Sequence, residues 1–383
     1  MCFFLIGNNL LAQIPGADQP EKYLSLLKDK KVGLVVNQTA TVGQEHLVDF
    51  LLKKKIKVVC VFAPEHGFRG DHSAGEKVSS GTDPKTKLPV YSLYGAYKKP
   101  KEDQLKKLDV IIFDIQDVGA RFYTYISTLH YVMEACAEQK KTLLILDRPN
   151  PNGAYIDGPI LDTAFRSFVG MHPVPVVHGC TMGEYAQMIN GEGWLKNHMK
   201  CNITIIKLKN YTHQSTYNLP IKPSPNLPNM GSIYLYPSLC FFEGTPYSVG
   251  RGTDKPFERV GKPFCKIGSD TFTPVNMPGI AEHPPFEGKL CTGFLLTDYA
   301  KNLAPFEKKI NLYWLIELYK NDDNQTAFFN SFFDKLAGTD ILRKQIIAGK
   351  TEEEIRKSWQ AGLIKYRNMR RPYLLYSDLE KGN

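Results

Sequence analysis

The chain has 383 residues, 43% of them hydrophobic and 23% charged. That is enough apolar material for a large core, and it excludes a disordered, collagen-like or coiled-coil chain. No run approaches the roughly 20 apolar residues of a membrane-spanning helix. The excess of 48 basic over 39 acidic residues, +9, comes with no zinc-finger or RNP-type pattern, so it reads as a solvated surface and no nucleic-acid partner is expected.

Taken from the amino end, residues 1–13 (MCFFLIGNNLLAQ) are apolar and join no periodic element. They read as the tail of a secretory signal with a small residue at Ala12, although no basic segment precedes them. A periplasmic or secreted location is expected, a cytoplasmic one less so. Residues 20–29 predict a helix, and 32–36 (VGLVV) a buried strand. Residues 47–54 have helical spacing, and 57–62 (KVVCVF) form the next strand. After a long loop come a short strand at 88–93, a polar helix at 101–107 and a strongly apolar strand at 109–115 (DVIIFDI). A long helix at 122–139, a strand at 142–146 (TLLIL), a helix at 181–190 and a strand at 203–206 complete the series.

Alternation of strand and helix, with strands apolar throughout, predicts an α/β fold: a Rossmann-like doubly wound parallel sheet covered on both faces. Beyond residue 210 the pattern breaks into proline- and glycine-rich segments, then helices at 312–319, 325–336 and 352–366. The division is placed at residue 258. A Rossmann-like catalytic domain spans 20–258, and a second, smaller α+β domain spans 259–383 and closes the cleft. Eight widely spaced cysteines with no CxxC pair read as core positions, not as a disulfide framework or zinc site.

Ligands of open parallel sheets bind beyond the carboxyl ends of the strands. The segments leaving those ends are polar and punctuated by Gly and Pro. They are Asn37-Gln38-Thr39, Ala63 to Gly70 (APEHGFRG), the run from Asp114 through Asp117 to Arg121, Asp147 to Gly153 (DRPNPNG), and His178 to Thr181. The first is not GxGxxG, so no dinucleotide is expected, and GxxxxGK[ST], GxSxG and HExxH are absent. Glu65-His66 and Asp71-His72 are metal-ligand types at no standard spacing, so neither metal nor cofactor is expected. Glu65, Asp114, Asp117, Asp147 and Asp157 crowd the same rim, with Glu243 and Asp254 able to reach it from later in the chain. Paired carboxylates are what glycoside hydrolysis requires.

The segments APEHGFRG (63–70), DIQDVGARFYTYISTLHYVMEA (114–135), LDRPNPNG (146–153), GMHPVPVVHGCTMGEYA (170–186), PSPNLPN (223–229), YPSLCFFEGT (236–245) and SVGRGTDKPF (248–257) resemble the exo-β-N-acetylmuramidases. This is a peptidoglycan-degrading family long carried as a domain of unknown function and now glycoside hydrolase family 171. FFDKLAGTD (332–340) and RRPYLLY (370–376) extend the resemblance to the carboxyl end. The resemblance implies a Rossmann-like domain without dinucleotide, a smaller second domain and a site between them. It also implies release of N-acetylmuramic acid from the non-reducing end of peptidoglycan fragments, with the glutamate of the EHG segment, Glu65, as general acid.

For the second catalytic group the candidates are Asp114, Asp117 and then Glu243. Arg69, Arg121, Arg148 and Arg251 are candidates for gripping the lactyl carboxylate, because a guanidinium fork matches a carboxylate. Asn150, Asn152 and His178 are expected at hydroxyl or acetamide groups. His66, Tyr123 and Glu243 complete the expected substrate contacts. The rivals are a non-catalytic muropeptide-binding sensor and a metal-dependent hydrolase of another bond.

Overall fold

The computed structural model describes residues 12–65, 67–69 and 80–378. The expectations for residues 1–11, His66 and the loop 70–79 lie outside the described residues. In the first half, β1 (Lys31–Val36) is followed by a small ribbon, β2 (Thr41–Val42) and β3 (Glu45–His46). Then come α1 (Leu47–Lys53), β4 (Lys57–Ala63), β5 (Gly81–Thr82), β6 (Pro89–Ser92) and α2 (Glu102–Leu105). β7 (Val110–Asp114), α3 (Tyr125–Glu138), β8 (Thr142–Leu146), α4 (Met182–Gly191), β9 (Asn202–Ile206) and α5 (Met230–Leu239) follow.

The seven strands of the main sheet run β5-β6-β4-β1-β7-β8-β9, parallel except for the edge pair β5–β6. From β1 the chain winds outward to β4 and β6, then returns beside β1 at β7 and winds the other way. This is the doubly wound order, and its switch point lies between β1 and β7. Because side chains alternate along a strand, each buried strand feeds two cores. Leu34 and Val36 of β1 pack with Val48 and Leu51 of α1, while Val35 packs with Phe62, Phe113, Leu129 and Ile189 on the α3/α4 face.

The second half holds an antiparallel sheet of β10 (Arg259–Lys262), β12 (Cys291–Leu295) and β11 (Asp270–Phe272), with β12 central. Around it are α6 (Thr297–Asn302), α7 (Ala304–Glu307), α8 (Tyr313–Lys320), α9 (Ser331–Ala337), α10 (Ile341–Ile347) and α11 (Glu352–Arg370). Phe241, Phe333, Ile355 and Trp359 belong to the same hydrophobic cluster as α3 and α4. The two halves are therefore joined by one continuous core.

Two predicted helices change character. Residues 20–29 are short 3-10 turns, Pro20–Lys22 and Leu24–Leu27. Only Leu27 is buried among the residues of those two turns, too little apolar contact to hold a longer helix. The helix expected at 325–336 starts at Ser331, where the Asn330 side chain accepts the Phe332 N–H as an N-cap. Among the described residues no helix is long and apolar enough to cross a membrane.

Candidate active site

The switch-point crevice is filled by the protein's own polar groups. Asn37 Nδ2 donates to the Tyr125 hydroxyl at 3.0 Å, and Thr39 Oγ1 donates to Asn37 Oδ1 at 2.5 Å. The Gln116 N–H donates to Thr39 Oγ1 at 3.0 Å. The open space lies to one side, above β4. There a cavity of about 360 Å³ is lined from both halves of the chain, by Glu65, Tyr94 and Tyr123 from the first and by Glu243, Arg251 and Phe332 from the second.

Glu65 stands two residues beyond β4. Its turn is closed by the Gly67 N–H donating to the Pro64 carbonyl at 3.1 Å, with Gly67 in the left-handed region at φ 78°. The Thr124 hydroxyl donates to Glu65 Oε2 at 3.0 Å. Thr124 immediately precedes α3, a 14-residue helix, so the carboxylate lies against that helix's amino end. The Tyr125 hydroxyl reaches the Glu65 carbonyl at 3.4 Å. The Tyr94 hydroxyl also faces the Glu65 carboxylate; burial, and then that carboxylate, push it well above the usual tyrosine range.

Glu243 lies on a 3-10 turn, Cys240–Gly244, that continues α5. Arg251 donates to its Oε1 through Nε at 2.9 Å and Nη2 at 2.6 Å. Burial opposes the guanidinium charge, but the Glu243 carboxylate prevails and raises it. The Arg251 loop bends through Gly250 and Gly252, at φ 77° and 79°. A Cβ on Gly252 would lie 2.6 Å from the Val275 carbonyl oxygen, so only glycine fits there. The walls between the carboxylates are aromatic. Tyr123 meets Tyr236 edge to face at 5.7 Å, Tyr236 meets Phe257 at 5.0 Å, and the Arg251 guanidinium lies 5.1 Å over Phe257. Such faces suit the apolar face of a sugar ring as well as core packing.

Of the residues expected at the site, Glu65, Tyr123, Glu243 and Arg251 line this cavity. Several others do not, and each has a physical reason. Asp114 is fully buried beneath the crevice and accepts from Arg148 Nε at 2.5 Å and Nη2 at 2.9 Å. Arg148 also donates to the Thr41 carbonyl, so its fork is spent inside the fold. Asp117 accepts the Gly119 N–H at 2.7 Å. His178 has no exposure; its Nδ1 accepts the Cys180 N–H and its Nε2 lies 3.6 Å from Asp117. Asn150 donates to the Cys180 carbonyl, and Asn152 to the carbonyls of Val118 and Ile233. Arg121 is fully buried and donates to four carbonyls, those of Pro159, Val174, Leu336 and Ala337. Arg69 makes a two-point contact with Asp83 at 3.2 and 2.9 Å. Burial opposes it, but Arg69 and Thr86 hold the Asp83 carboxyl down to about 2. His66 is outside the described residues.

Family models described as exo-β-N-acetylmuramidase NamZ, N-terminal and C-terminal, match residues 32–231 and 234–376. The chain belongs to the exo-β-N-acetylmuramidase family. It is thereby a glycoside hydrolase. The peptidoglycan β-N-acetylmuramidase NamZ of Bacillus subtilis (strain 168) is 40% identical over 373 residues, 92% of this chain and 89% of the relative. Two solved DUF1343 family proteins of Bacteroides fragilis NCTC 9343 share the fold. One is 48% identical with a TM-score of 0.88, covering 96% of this chain and 99% of its own. The other is 28% identical with a TM-score of 0.80, covering 95% and 99%. The two family models meet between residues 231 and 234, upstream of the division placed at residue 258.

Sequence reasoning missed Tyr94, Ser224, Asn226, Tyr236, Phe257 and the segment 280–285, all of which line the cavity. The motifs PSPNLPN and YPSLCFFEGT contain three of them. Tyr94 and 280–285 lie in segments with no distinguishing pattern.

Proposed function

We propose that this protein is an exo-acting hydrolase that releases single N-acetylmuramic acid residues from the non-reducing ends of peptidoglycan fragments, with Glu65 as its proton donor. The observation that carries this is one aromatic-walled cavity holding both Glu65 and the Glu243–Arg251 pair. Glu65, oriented by Thr124, transfers its proton to the glycosidic oxygen as the bond from C1 breaks. Charge then develops on the sugar ring, and Glu243 is the second carboxylate facing it. Neither Asp114 nor Asp117 lines this cavity, which favours Glu243 for the second role. In one course Glu243 takes a proton from water attacking C1, and the anomer inverts. In the other the substrate's acetamide oxygen attacks C1, Glu243 orients its N–H, and water activated by Glu65 restores the anomer. The configuration of the released sugar distinguishes the two.

Arg251 spends Nε and Nη2 on Glu243, and among the described residues its Nη1 has no hydrogen bond. That nitrogen is suited to the lactyl carboxylate that separates muramic acid from glucosamine. The preferred substrates are muramic-acid-terminated disaccharides and longer chains. A periplasmic or secreted location is proposed with this activity, supported by the apolar residues 1–13 and by the site of the polymer.

The deciding experiment compares chromogenic β-glycosides of N-acetylmuramic acid and N-acetylglucosamine on wild type and Glu65→Gln. Release from the muramic compound alone, lowered at least about 100-fold by the substitution, is expected. Release that survives Glu65→Gln removes Glu65 from the role. A folded wild type that cleaves neither compound returns the protein to a binding function.

A further inference from the structure

The strands β1, β4, β7 and β8 run parallel, so the segments that lead into them share one edge of the main sheet. Those segments, residues 28–31, 53–57, 106–109 and 138–141, hold eleven lysines, no arginine and three acids, Asp29, Asp109 and Glu138. Glu45 and Glu102 reach in to pair with Lys53 and Lys106, and Asp103 lies near Lys106. Glu138 also pairs with Lys99, which Glu134 balances. Eleven lysines against six acids leave an excess of five. Residues 1–11, 66, 70–79 and 379–383 together hold only Asp71, Glu76 and Glu380 against Lys77 and Lys381, too little to cancel it. Lys28, Lys30, Lys54, Lys55, Lys57 and Lys107 are exposed and form no ion pair among the described residues.

Two features show these lysines held against local cost. Lys31 and Lys57 are register partners at the first rung of β1 and β4, like charges side by side. Both α1 and α3 end in a Schellman turn. The Lys55 N–H donates to the Leu52 carbonyl at 2.9 Å and the Ile56 N–H to that of Leu51 at 3.0 Å. The Lys140 N–H donates to the Ala137 carbonyl at 3.3 Å and the Lys141 N–H to that of Cys136 at 2.8 Å. The left-handed position of such a turn ordinarily belongs to glycine, yet Lys55 occupies it at φ 60° and Lys140 at φ 51°. A side chain is strained there, and strain retained in a fold points to use. A helix dipole accounts for a cation after α1 or α3. It does not account for Lys28, Lys30 and Lys31, which follow only a short 3-10 turn.

We infer that this edge of the sheet is a docking surface for an anionic lipid bilayer, and that it holds the protein with its catalytic cavity turned away from the membrane. All eleven cations are lysines, compact point charges on flexible stems. These suit diffuse attraction to a plane of headgroups better than the forked grip of a single anion. The position favours the bilayer over the substrate polymer. Lys57 opens β4 and Glu65 stands beyond its other end, so seven strand residues, about 20 Å, separate them. A polymer bound at the lysine edge would lie on the side away from the cavity, whereas a bilayer there leaves the cavity open to the polymer. The value of that orientation rests on the muramidase reading. The lipid contact stands without it.

The test uses Lys28→Gln/Lys30→Gln/Lys54→Gln/Lys57→Gln, four exposed positions outside the catalytic cavity. Co-sedimentation is measured over a salt series with vesicles of equimolar phosphatidylglycerol and phosphatidylcholine, and with vesicles of phosphatidylcholine alone. Wild type should sediment with the anionic vesicles only and lose affinity as salt rises. The quadruple variant should bind them at least about tenfold more weakly, while turning over the small chromogenic muramic glycoside at the wild-type rate. Wild type that ignores the anionic vesicles, or binds both kinds equally, overturns the inference, as does equal binding by wild type and variant. Binding to purified sacculi but not to vesicles, lost in the variant, assigns the lysines to the wall polymer and also overturns it. Lys55→Gly separates charge from fold. It should raise the urea midpoint and weaken vesicle binding, and a lower midpoint with unchanged binding counts against the inference. Absence of glycoside turnover in wild type strikes the muramidase reading and leaves the vesicle result to be judged by itself.

Discussion

The Thr124 hydroxyl donates to Glu65 Oε2 at 3.0 Å and so ties the strand-end glutamate to the residue that opens α3. The two are 59 positions apart in sequence, and the sheet order is what brings them together. Thr124→Val keeps the shape of the side chain and removes the donor. One such hydrogen bond contributes about 1–1.5 kcal/mol, so kcat should fall about tenfold with KM little changed. Thr124→Ser should restore the rate. Equal rates for Thr124→Val and wild type in steady-state assays would remove Thr124 as a positioning residue.

Arg251 bears on selectivity. Arg251→Lys keeps the charge but loses the fork, and its single ammonium must then serve Glu243. KM for the muramic glycoside is expected to rise about tenfold or more, the scale of one charged hydrogen bond, with kcat little changed. A fall in kcat with KM unchanged would show that Arg251 acts through Glu243 alone.

Arg121 is the fully buried cation that joins the halves: Nη1 serves the carbonyls of Pro159 and Val174, and Nη2 those of Leu336 and Ala337 at the end of α9. Burial pushes its guanidinium down to about 9. Arg121→Met removes a costly buried charge but leaves four carbonyls without a donor. The second effect dominates, and a loss of about 3 kcal/mol is expected in urea unfolding. Since α9 also carries Phe332 of the cavity wall, KM should rise in the surviving folded protein. An unchanged urea midpoint would contradict this account.

His46 should make the fold acid-sensitive. Its Nδ1 accepts the Val48 N–H at the start of α1, and its Nε2 donates to the Asn37 carbonyl at 2.9 Å. Burial lowers its pKa to about 4. The folded protein therefore keeps His46 neutral where the unfolded chain binds a proton. Stability from this group is complete above about pH 6.5 and is lost as pH falls toward 4, by up to about 3 kcal/mol. Urea midpoints measured between pH 7 and 4 should show that decline, and His46→Gln should flatten it.

The amino-acid sequence determined the six parallel strands of the main sheet, the family and the one glutamate that follows β4, while the edge strand β5, the β2–β3 ribbon and the antiparallel sheet of the second half were not legible in it. Runs such as VIIFD and TLLIL are buried on both faces, and that pattern is visible without any partner. The long motifs from APEHGFRG onward carried the rest. Which rim residues face the cavity was decided by tertiary structure. Asp114, Asp117, Arg148 and His178 belong to the same kind of segment as Glu65, yet they close on one another or on backbone groups. A polar side chain at a strand end can turn down into the switch-point crevice or sideways to open space, and the neighbouring crossover chooses between them. Glu243, Arg251, Tyr236 and the segment 280–285 come from the other half of the chain. Local pattern cannot reveal their approach, because it is the continuous core under α5 and α9 that brings them to Glu65.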